Sequence, residues 1–414
     1  MILLEAKLRG EDEQYRAIDE ALRTARFIRN SCLRYWMDNK GIGRYELSKY
    51  CAVLANEFEW ADKLNSMARQ AHAERAWSSI SRFFDNCKKK IPGKKGYPRF
   101  KKHQTNLSVE YKTTGWKLSN DRLSITFTDG FNAGSFRLWG TRDLHHYQID
   151  QIKRVRVVRR ADGYYVQFCI DVDRREEHKY QDRVVGIDVG LNHFLTDSDG
   201  NTFKNPRYLR KSERALKRSQ RRLSRKKKGS KNRIKACNKV GRKHLKVSRQ
   251  RKDFVVKTAR CVVQSADLVA YEDARCWRGK FPPPNSLLKV KNMVRNHHLA
   301  KSISDASWSQ FREWLEYFGR VFGVGTIAVP PHYTSQDCSS CGATVKKSLS
   351  TRTHTCACGT TLGRDCNAAL NILRIGLSTV GHTGTNNVSG ENDLCVGGAT
   401  SQHKPTRGKR KSKG

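Results

Sequence analysis

The spacing of the apolar residues changes along this chain, and that change restricts the fold more than any other feature. From Tyr15 to Tyr35 an apolar residue recurs every three or four positions, which is the spacing of one face of an amphipathic helix. A strand is predicted before it in "LLEAKL", and more helix after it in "ELSKYCAVLANEF" and "MARQAHAERAWSSISRFFDN". Proline and glycine in "KKKIPGKKGYPRFKK" end the helical region.

From Ser108 onward the apolar spacing becomes two, which is typical of strands with one buried face. In "IKRVRVVRRADGYYVQFCIDV" a turn at Asp162 and Gly163 separates two alternating runs, so we predict a β-hairpin there. A second hairpin is predicted in "WKLSNDRLSITF". This order is explained by a small β-domain that a helical insertion interrupts near its first strand.

Strands and helices alternate in the later part of the chain, which predicts an α/β architecture. "VVGIDVGLNHFLTDSDG" contains a buried strand, a glycine turn and a second strand, and "CVVQSADLVAYED" leads from a helix into a strand. An aromatic stripe from Trp308 to Phe322 has helical spacing and precedes the strand-like "VGTIAVP". We interpret this stripe as core rather than as a platform for stacking bases.

The charge balance indicates the class of partner. Lys and Arg number 81 against 39 Asp and Glu, a formal net charge of +42. A folded chain with this excess repels itself unless a polyanion neutralises it, so we expect nucleic acid rather than a membrane as the partner. No apolar run approaches the roughly 18 residues of a membrane-spanning helix. The start "MILLEAKLRG" does not resemble a signal peptide, so we expect a cytosolic protein.

The positive charge is densest in a segment that we predict to be helical. Between Arg207 and Lys252 there are 22 Lys and Arg among 46 residues and one acid, Glu213. The alternative is a solvated, unstructured arm, but three leucines keep a seven-residue spacing that such an arm does not need. They are Leu209, Leu216 and Leu223. A helix docked by these leucines would present Arg218, Arg221, Arg222 and Arg225 to phosphates.

Two cysteine pairs predict a zinc site. They are Cys338 with Cys341 in "CSSCG" and Cys356 with Cys358 in "CACG". Thiolates this close on a tight turn reach one tetrahedral ion, and four sulfurs leave no open position, so the role would be structural. The second pair encloses a single residue, which leaves His354 and Cys366 as alternative fourth ligands.

Three carboxylates on separate predicted elements are candidates for catalysis. Asp188 lies at a strand end in "GIDVG", either Glu272 or Asp273 ends the strand "VAYED", and Asp365 falls in the first turn of the helix "GRDCNAALNIL". Each alone could be a turn former or a cap. Together they are what two divalent ions need to assist phosphodiester cleavage, and oxygen ligands favour Mg²⁺ or Mn²⁺. The arrangement also suits an RNase H-like sheet flanked by helices.

Six stretches, in this order, closely resemble the transposon-encoded TnpB proteins, also called OrfB, which are RNA-guided DNA endonucleases akin to compact type V CRISPR effectors. The resemblance spans roughly residues 183–377. The stretches are "GIDVGLNHFLTDSDG", "RRLSRKKKGSKNR", "VAYED", "NHHLAKSISDASWSQFREWLEY", "PPHYTSQDCSSCG" and "GRDCNAALNIL".

This resemblance implies a domain plan. The nuclease would be a RuvC-type, RNase H-like domain split between residues 181–332 and 363–377, with the basic helical segment 207–252 within it. A zinc ribbon, 333–362, would be inserted before the last catalytic segment. Residues 1–12 and 93–180 would form a wedge-like β-barrel that carries a helical recognition insertion, 13–92. A disordered basic tail is expected over 378–414.

The resemblance also implies site residues and partners. Asp188, Glu272 and Asp365 match the family's catalytic positions, which favours Glu272 over Asp273, and the four cysteines match its zinc ribbon. The family's second cysteine pair usually encloses two residues instead of one. A monomer would bind a guide RNA from the transposon end and double-stranded target DNA beside a short flanking motif, in a bacterial cytosol and near the nucleoid.

The sequence therefore predicts an RNA-guided, Mg²⁺-dependent DNA endonuclease with structural zinc. The main alternative is an RNA-guided DNA-binding protein that does not cleave and acts like a repressor, which the presence of all three acids disfavours. A transposase that joins DNA ends and a basic RNA-binding zinc protein without enzymatic activity are further alternatives. Only a cleavage assay distinguishes the nuclease hypothesis from the hypotheses in which the protein does not cleave DNA.

Overall fold

The computed structural model describes residues 1–91, 93–102, 108–140, 143–273, 297–348 and 350–380. The chain divides into two compact units. The first contains Met1–Glu176 and Arg207–Phe254, and the second contains Glu177–Pro206 and all of the described chain from Val255 onward. Among the described residues, no helix combines the length and the apolar character that crossing a membrane requires. The predicted tail lies outside the described residues except for 378–380, where the last helix ends.

The first unit contains a seven-stranded antiparallel sheet. Its strands are β1 (Ile2–Arg9), β2 (Ser108–Tyr111), β3 (Trp116–Leu118), β4 (Ser124–Phe127), β5 (Gly134–Trp139), β6 (Ile152–Arg160) and β7 (Gly163–Ile170), with a 3-10 turn at Ile149–Gln151. The strand order is β2-β6-β7-β1-β5-β4-β3. Both predicted hairpins are confirmed, as β6 with β7 and β3 with β4. The first strand of the chain is central, with Leu4 opposite Phe168 and Lys7 opposite Trp139.

The two edge strands of this sheet are neighbours along the chain. Residues 112–115 connect β2 to β3, and the Trp116 indole N–H donates to the carbonyl of Lys112 at 2.8 Å. The sheet therefore curves so that its two edges approach each other. Buried aromatic rings fill the concave side, with the centroids of Tyr111 and Phe127 5.4 Å apart.

A group of helices separates β1 from β2, as the helical spacing predicted. The helices are α1 (Asp12–Asp38), α2 (Arg44–Glu57), α3 (Glu59–Asp62) and α4 (Ser66–Lys88). Their apolar faces bury a separate core that includes Ile28, Leu33, Leu54 and Ile80. The side chain of Asn65 caps α4 by accepting from the N–H groups of Met67 and Ala68, which satisfies donors that the first turn leaves open.

The basic segment forms two helices, α5 (Tyr208–Ser224) and α6 (Lys231–Gln264). Leu216 is buried and Leu209 and Leu223 are half-buried, so the seven-residue spacing does mark the packed face of α5. Helix α6 continues beyond Lys252, the last residue of the predicted basic segment. It continues because buried apolar residues extend the helical spacing, among them Val255, Ala259 and Val263.

The second unit contains a five-stranded mixed sheet. Its strands are β8 (Val184–Asp188), β9 (His193–Asp197), β10 (Thr202–Lys204), β11 (Leu268–Glu272) and β12 (Gly325–Val329), in the order β10-β9-β8-β11-β12. Strands β8, β11 and β12 are parallel, whereas β9 and β10 are antiparallel. The other elements are α7 (His297–Ala306), α8 (Trp308–Phe322), α9 (Arg364–Thr379) and a small hairpin, β13 (Thr353–Thr355) with β14 (Thr361–Gly363).

Helices α8 and α9 cover opposite faces of this sheet. A side chain at Gly186 would overlap the carbonyl oxygen of Ala369, so the glycine lets α9 lie directly on β8. The next residue, Ile187, lines a small cavity with Phe311 and Leu315 of α8. The aromatic stripe of α8 is core, as predicted, and its Phe311 ring meets Phe194 edge to face at 5.0 Å.

Candidate functional site

The three candidate carboxylates lie at one edge of the second unit's sheet. Asp188 is the last residue of β8 and Glu272 is the last residue of β11. These strands are parallel neighbours, so their carboxyl ends share an edge, where open α/β sheets place their sites. Asp365 lies in the first turn of α9, as predicted, and a side chain at Gly190, just after β8, would come within 4.0 Å of its Oδ2.

Asp188 lies in the electrostatic field of the other two carboxylates. Burial, followed by the charges of Glu272 and Asp365, raises the pKa of Asp188 to about 8. Burial also raises the pKa of Glu272. Negative charge thus accumulates where little water solvates it, an arrangement that a bound cation would relieve.

Arg364 was not among the residues selected from the sequence. It precedes Asp365 and its positive charge lowers the pKa of Asp188, opposing the two acids. The signal was present in "GRDCNAALNIL", where a basic residue stands beside the candidate acid. Sequence spacing could not reveal that its charge acts on a carboxylate at the end of a strand far earlier in the chain.

Asp273, the alternative to Glu272, has different surroundings. Its Oδ1 accepts from Arg312 of α8 at 3.1 Å, and its backbone N–H donates to Val329 at 2.8 Å. Arg312 is also 3.4 Å from Glu316. Asp273 is therefore part of an ion-pair network with α8, whereas Glu272 contributes its charge to the environment of Asp188.

The four cysteines come together in one cluster. Their sulfur atoms all lie within 4.8 Å of one another, with Cys338 3.6 Å from Cys358 and Cys341 3.5 Å from Cys356. Tetrahedral zinc with Zn–S bonds of about 2.3 Å requires sulfur separations of roughly 3.8 Å, so the cluster fits zinc. Within the described part of the chain, the three carboxylates do not form a group this tight.

Two similar turns present these sulfurs. Gly342 donates to the carbonyl of Cys338 at 2.9 Å, and Gly359 donates to that of Cys356 at 3.0 Å. Both glycines are left-handed, with φ of +78° and +88°, which explains why a glycine follows each pair. Backbone N–H groups of Cys341 and Ser340 lower the pKa of Cys338 to about 5, which favours the thiolate that binds metal.

The alternative fourth ligands lie in different places in the structure. Cys358 belongs to the cluster, despite the single residue that separates it from Cys356, whereas Cys366 lies on α9 outside it. His354 is fully buried on β13, where its Nδ1 contacts the Lys347 ammonium group. The tighter spacing of the second pair is thus compatible with four sulfur ligands.

Two asparagines that sequence reasoning missed join the first cysteine turn to α9. Asn367 accepts from the N–H of Ser339 at 3.0 Å and donates to the carbonyl of Asp337 at 2.7 Å. Asn371 donates to Thr334 at 2.9 Å and to Asp337 at 2.7 Å. Both side chains are buried. The cysteine turn is therefore attached to the helix that carries Asp365, and two asparagines four residues apart on an apolar helix were the available signal.

The four selected arginines lie on α5 in the first unit. Arg218, Arg221 and Arg222 are exposed on the helix and Arg225 is exposed at its end. Helix α6 packs along α5, with Lys243 donating to the carbonyl of Ala215 at 2.9 Å. The arginines thus share an exposed basic surface.

Comparisons with known proteins agree with the resemblance described above. Residues 167–275 match the family OrfB_IS605, described as "Probable transposase", and residues 308–372 match the Cas12f1-like TNB domain. A Streptomyces pristinaespiralis protein named "Putative RNA-guided DNA endonuclease" is 28% identical over 377 residues, which cover 89% of this chain and 87% of that protein. "Putative RNA-guided DNA endonuclease InsQ" of Escherichia coli K12 is 29% identical over 325 residues, covering 78% and 77%.

The fold is similar to one of known structure. A chain in the cryo-EM structure of a Cas12f1–sgRNA–target DNA complex matches with a TM-score of 0.52 and 17% identity, over 86% of this chain and 82% of that chain. The chain therefore has a mixed α/β multidomain fold resembling Cas12f, with a RuvC-like region, a TNB domain and a four-cysteine cluster.

Proposed function

We infer that the chain belongs to the TnpB/OrfB family of IS605-type transposon proteins, and from this premise we propose that it is an RNA-guided, metal-dependent DNA endonuclease. One observation carries the proposal beyond family membership. Asp188, Glu272 and Asp365 come from two parallel strands and a helix, and the charges of Glu272 and Asp365 raise the pKa of Asp188 at one sheet edge. A protein that only bound nucleic acid would gain nothing from gathering half-buried like charges together.

We assign domains on the same basis. The order β10-β9-β8-β11-β12, with α9 across β8 and β11, supports an RNase H-like RuvC nuclease over 181–332 and 363–377. The cysteine cluster and the β13–β14 hairpin support a zinc ribbon at 333–362. The curved sheet of the first unit supports a wedge-like β-barrel at 1–12 and 93–180, and α1–α4 support a recognition insertion at 13–92.

Asp188, Glu272 and Asp365 would hold Mg²⁺ or Mn²⁺. Their oxygens are the hard ligands these ions prefer, and their charges are poorly solvated without a cation. Such ions would stabilise the attacking and leaving oxygens of a phosphodiester. The chain's own contribution is positional: β8 and β11 fix two carboxylates, and α9 sets the third. Arg364 favours the ionised form of Asp188.

Zinc bound by Cys338, Cys341, Cys356 and Cys358 would have a structural role. The four sulfurs leave no open coordination position for a substrate. Through Asn367 and Asn371, the cysteine turn would hold the start of α9 and so the position of Asp365.

The partners would be a guide RNA from the transposon end and double-stranded target DNA. Arg218, Arg221, Arg222 and Arg225 are proposed to contact phosphates, in keeping with a net charge of +42. Base pairing with the guide would select the target, and the protein would read a short flanking motif. We expect one protein chain per guide RNA, acting near the nucleoid in the bacterial cytosol.

The test is to co-express the full chain with the DNA that flanks its own gene, and then to sequence the RNA that copurifies. DNA matched to that RNA is incubated with the complex in Mg²⁺ or in EDTA. We expect cleavage that requires both the match and Mg²⁺ and that is lost in Asp188→Ala, whereas the RNA still copurifies with this variant.

Tight binding of matched DNA without cutting would instead support the repressor-like function. Cutting that persists in Asp188→Ala would contradict the assigned site. The exposed Asp199→Ala serves as the matched control, because Asp199 is an acid of the same unit that pairs with Arg183 at 2.6 Å.

A further inference from the structure

An extended segment of the first unit lies along helices α1 and α4. Residues 94–102, "KKGYPRFKK", have no regular secondary structure, and we call this segment the strap. The side-chain amide of Asn86 donates to the carbonyl of Lys95 at 3.0 Å. Asn30 binds both backbone groups of Lys101, at 2.9 and 3.0 Å. Arg29 donates to the carbonyl of Arg99 at 3.3 Å, so the strap's backbone is held in place along its length.

The strap and α4 expose aromatic rings to solvent. The exposed fractions are 53% for Tyr97, 43% for Phe100 and 51% for Phe84. Tyr97 is supported from behind, since its ring lies 5.2 Å from Phe83 in an edge-to-face contact and 5.9 Å from Trp36. Trp36 and Phe83 contact both Tyr97 and Phe84, and exposed rings grouped in this way indicate a binding site rather than scattered exposure.

The strap that carries Tyr97 and Phe100 is rich in cations. Residues 86–102 contain eight Lys and Arg and no acid. Along the strap, exposed cations alternate with exposed rings, with Arg99 and Lys102 flanking Phe100. This interleaving of positive charge and aromatic surface is what proteins use to bind single-stranded nucleic acid.

The inner side of the strap also has more positive than negative charge. Burial, then Arg75, Arg29 and Arg156, lower the pKa of Lys101 to about 8. The nearby acid Glu110 is already shared by Arg154 and Arg156, both at 2.7 Å. The cations around Lys101 therefore exceed the available carboxylates, and a bound phosphate would reduce their mutual repulsion.

We propose that the strap binds an unpaired stretch of nucleic acid, with bases stacked on Tyr97, Phe100 and Phe84 and phosphates on Arg99, Lys101 and Lys102. An unpaired strand is required because the bases of a duplex are already stacked on each other and offer no free face. The inference relies on the proposed function only for nucleic acid as the partner, and it does not involve the carboxylates.

The test measures binding by the full chain after high-salt removal of copurified nucleic acid. The probes are labelled oligouridylate, oligothymidylate, an abasic strand with the same phosphates, and a DNA duplex. In Tyr97→Ala/Phe100→Ala we expect binding of a base-bearing single strand to weaken about tenfold, as loss of base stacking implies. The abasic strand and the duplex should bind within about twofold of wild type, because neither offers free bases.

The two single-stranded probes distinguish the sources of the strand. A larger loss for oligouridylate assigns the strap to the guide RNA, and a larger loss for oligothymidylate assigns it to an unpaired DNA strand. Either result supports the proposal. Less than a twofold change for both probes would overturn it, as would an equal loss for the abasic strand.

Two further variants guard against loss of folding. Phe100→Ala alone and Arg99→Gln alter exposed groups, and each should weaken single-strand binding severalfold with an unchanged melting curve. Tyr180→Ala is the matched control, an exposed tyrosine that donates to Asp182 at 3.2 Å, and its binding should equal wild type. Asp188→Ala should leave strap binding intact, so failure of the nuclease proposal is distinguishable from failure of this one.

Discussion

The carboxylate group and the cysteine cluster of the second unit are built in opposite ways. The carboxylates come from three elements that lie far apart in sequence, at Asp188, Glu272 and Asp365. The cysteines come from two short turns between Cys338 and Cys358. The fold forces the carboxylates together at an electrostatic cost, whereas local backbone donors already favour the Cys338 thiolate. The carboxylate group depends on the sheet, and the cysteine cluster depends on two local turns.

The largest effect is expected at the end of β11, where substitutions of two adjacent acids, Glu272 and Asp273, should have different consequences. Glu272→Gln should lower the cleavage rate roughly a thousandfold or more, because it removes a charge that we propose holds the catalytic ions. Asp273→Asn should retain most cleavage and lower the melting temperature instead, because it weakens the contact with Arg312. The measurements are the cleavage rate on guide-matched DNA and the melting temperature of each variant. Equal loss of cleavage in both would remove the distinction between them.

Removing zinc tests the cysteine cluster, which is built from local turns. Cys338→Ser, or a chelator, should abolish bound zinc and lower the melting temperature by more than about 5 °C, because metal binding contributes directly to folding. Cys366→Ser is the matched control, since this cysteine lies outside the cluster and should keep both zinc content and stability. Metal analysis measures the zinc content of both variants, and calorimetry measures their melting temperatures. Zinc that survives in Cys338→Ser would point to a different ligand set.

The pH dependence of stability tests the electrostatic cost at Asp188. The folded-state pKa of about 8 lies above the ordinary value of 3.8, so stability present in acid is lost as pH rises from about 4 to about 8. Without divalent metal, Asp188→Asn should therefore melt above wild type by roughly 2–5 °C near pH 9 and close to wild type near pH 4.

Added Mg²⁺ should reverse that order at high pH. On the proposed metal site, the ion would stabilise wild type by binding the ionised carboxylates and would have less effect on Asp188→Asn. Thermal unfolding of both proteins with and without Mg²⁺ provides the measurement. A constant difference across the pH range would mean that Asp188 is not strained in the metal-free fold.

The smallest effect concerns the basic surface of α5, which belongs to neither metal group. Arg221→Glu/Arg222→Glu should weaken nucleic-acid binding severalfold and reduce the slope of log affinity against log salt by about 1 to 2, because fewer counterions are released. Zinc content and Mg²⁺ dependence should stay unchanged. Arg175→Glu is a control in an exposed pair with Asp173. An unaltered salt slope would leave the α5 arginines without a phosphate contact.

The prediction succeeded where the signal was local. Both hairpins, the helix after the first strand and the position of Asp365 in the first turn of α9 followed from spacing and turn residues. The end of the basic helix was missed, because charge ended near Lys252 while the apolar spacing continued to Gln264. Asn367 and Asn371 were missed because their partners are carbonyls in a distant turn.

The sequence by itself determined the elements, the cysteine quartet and the candidate acids, since helix period, strand alternation and turn chemistry act over a few residues. Only the tertiary structure decided that β1 lies between β7 and β5, that Asp188 and Glu272 share an edge, and that Asp273 pairs with α8. These arrangements depend on contacts between distant residues, whose burial and repulsion exist only once the chain has folded.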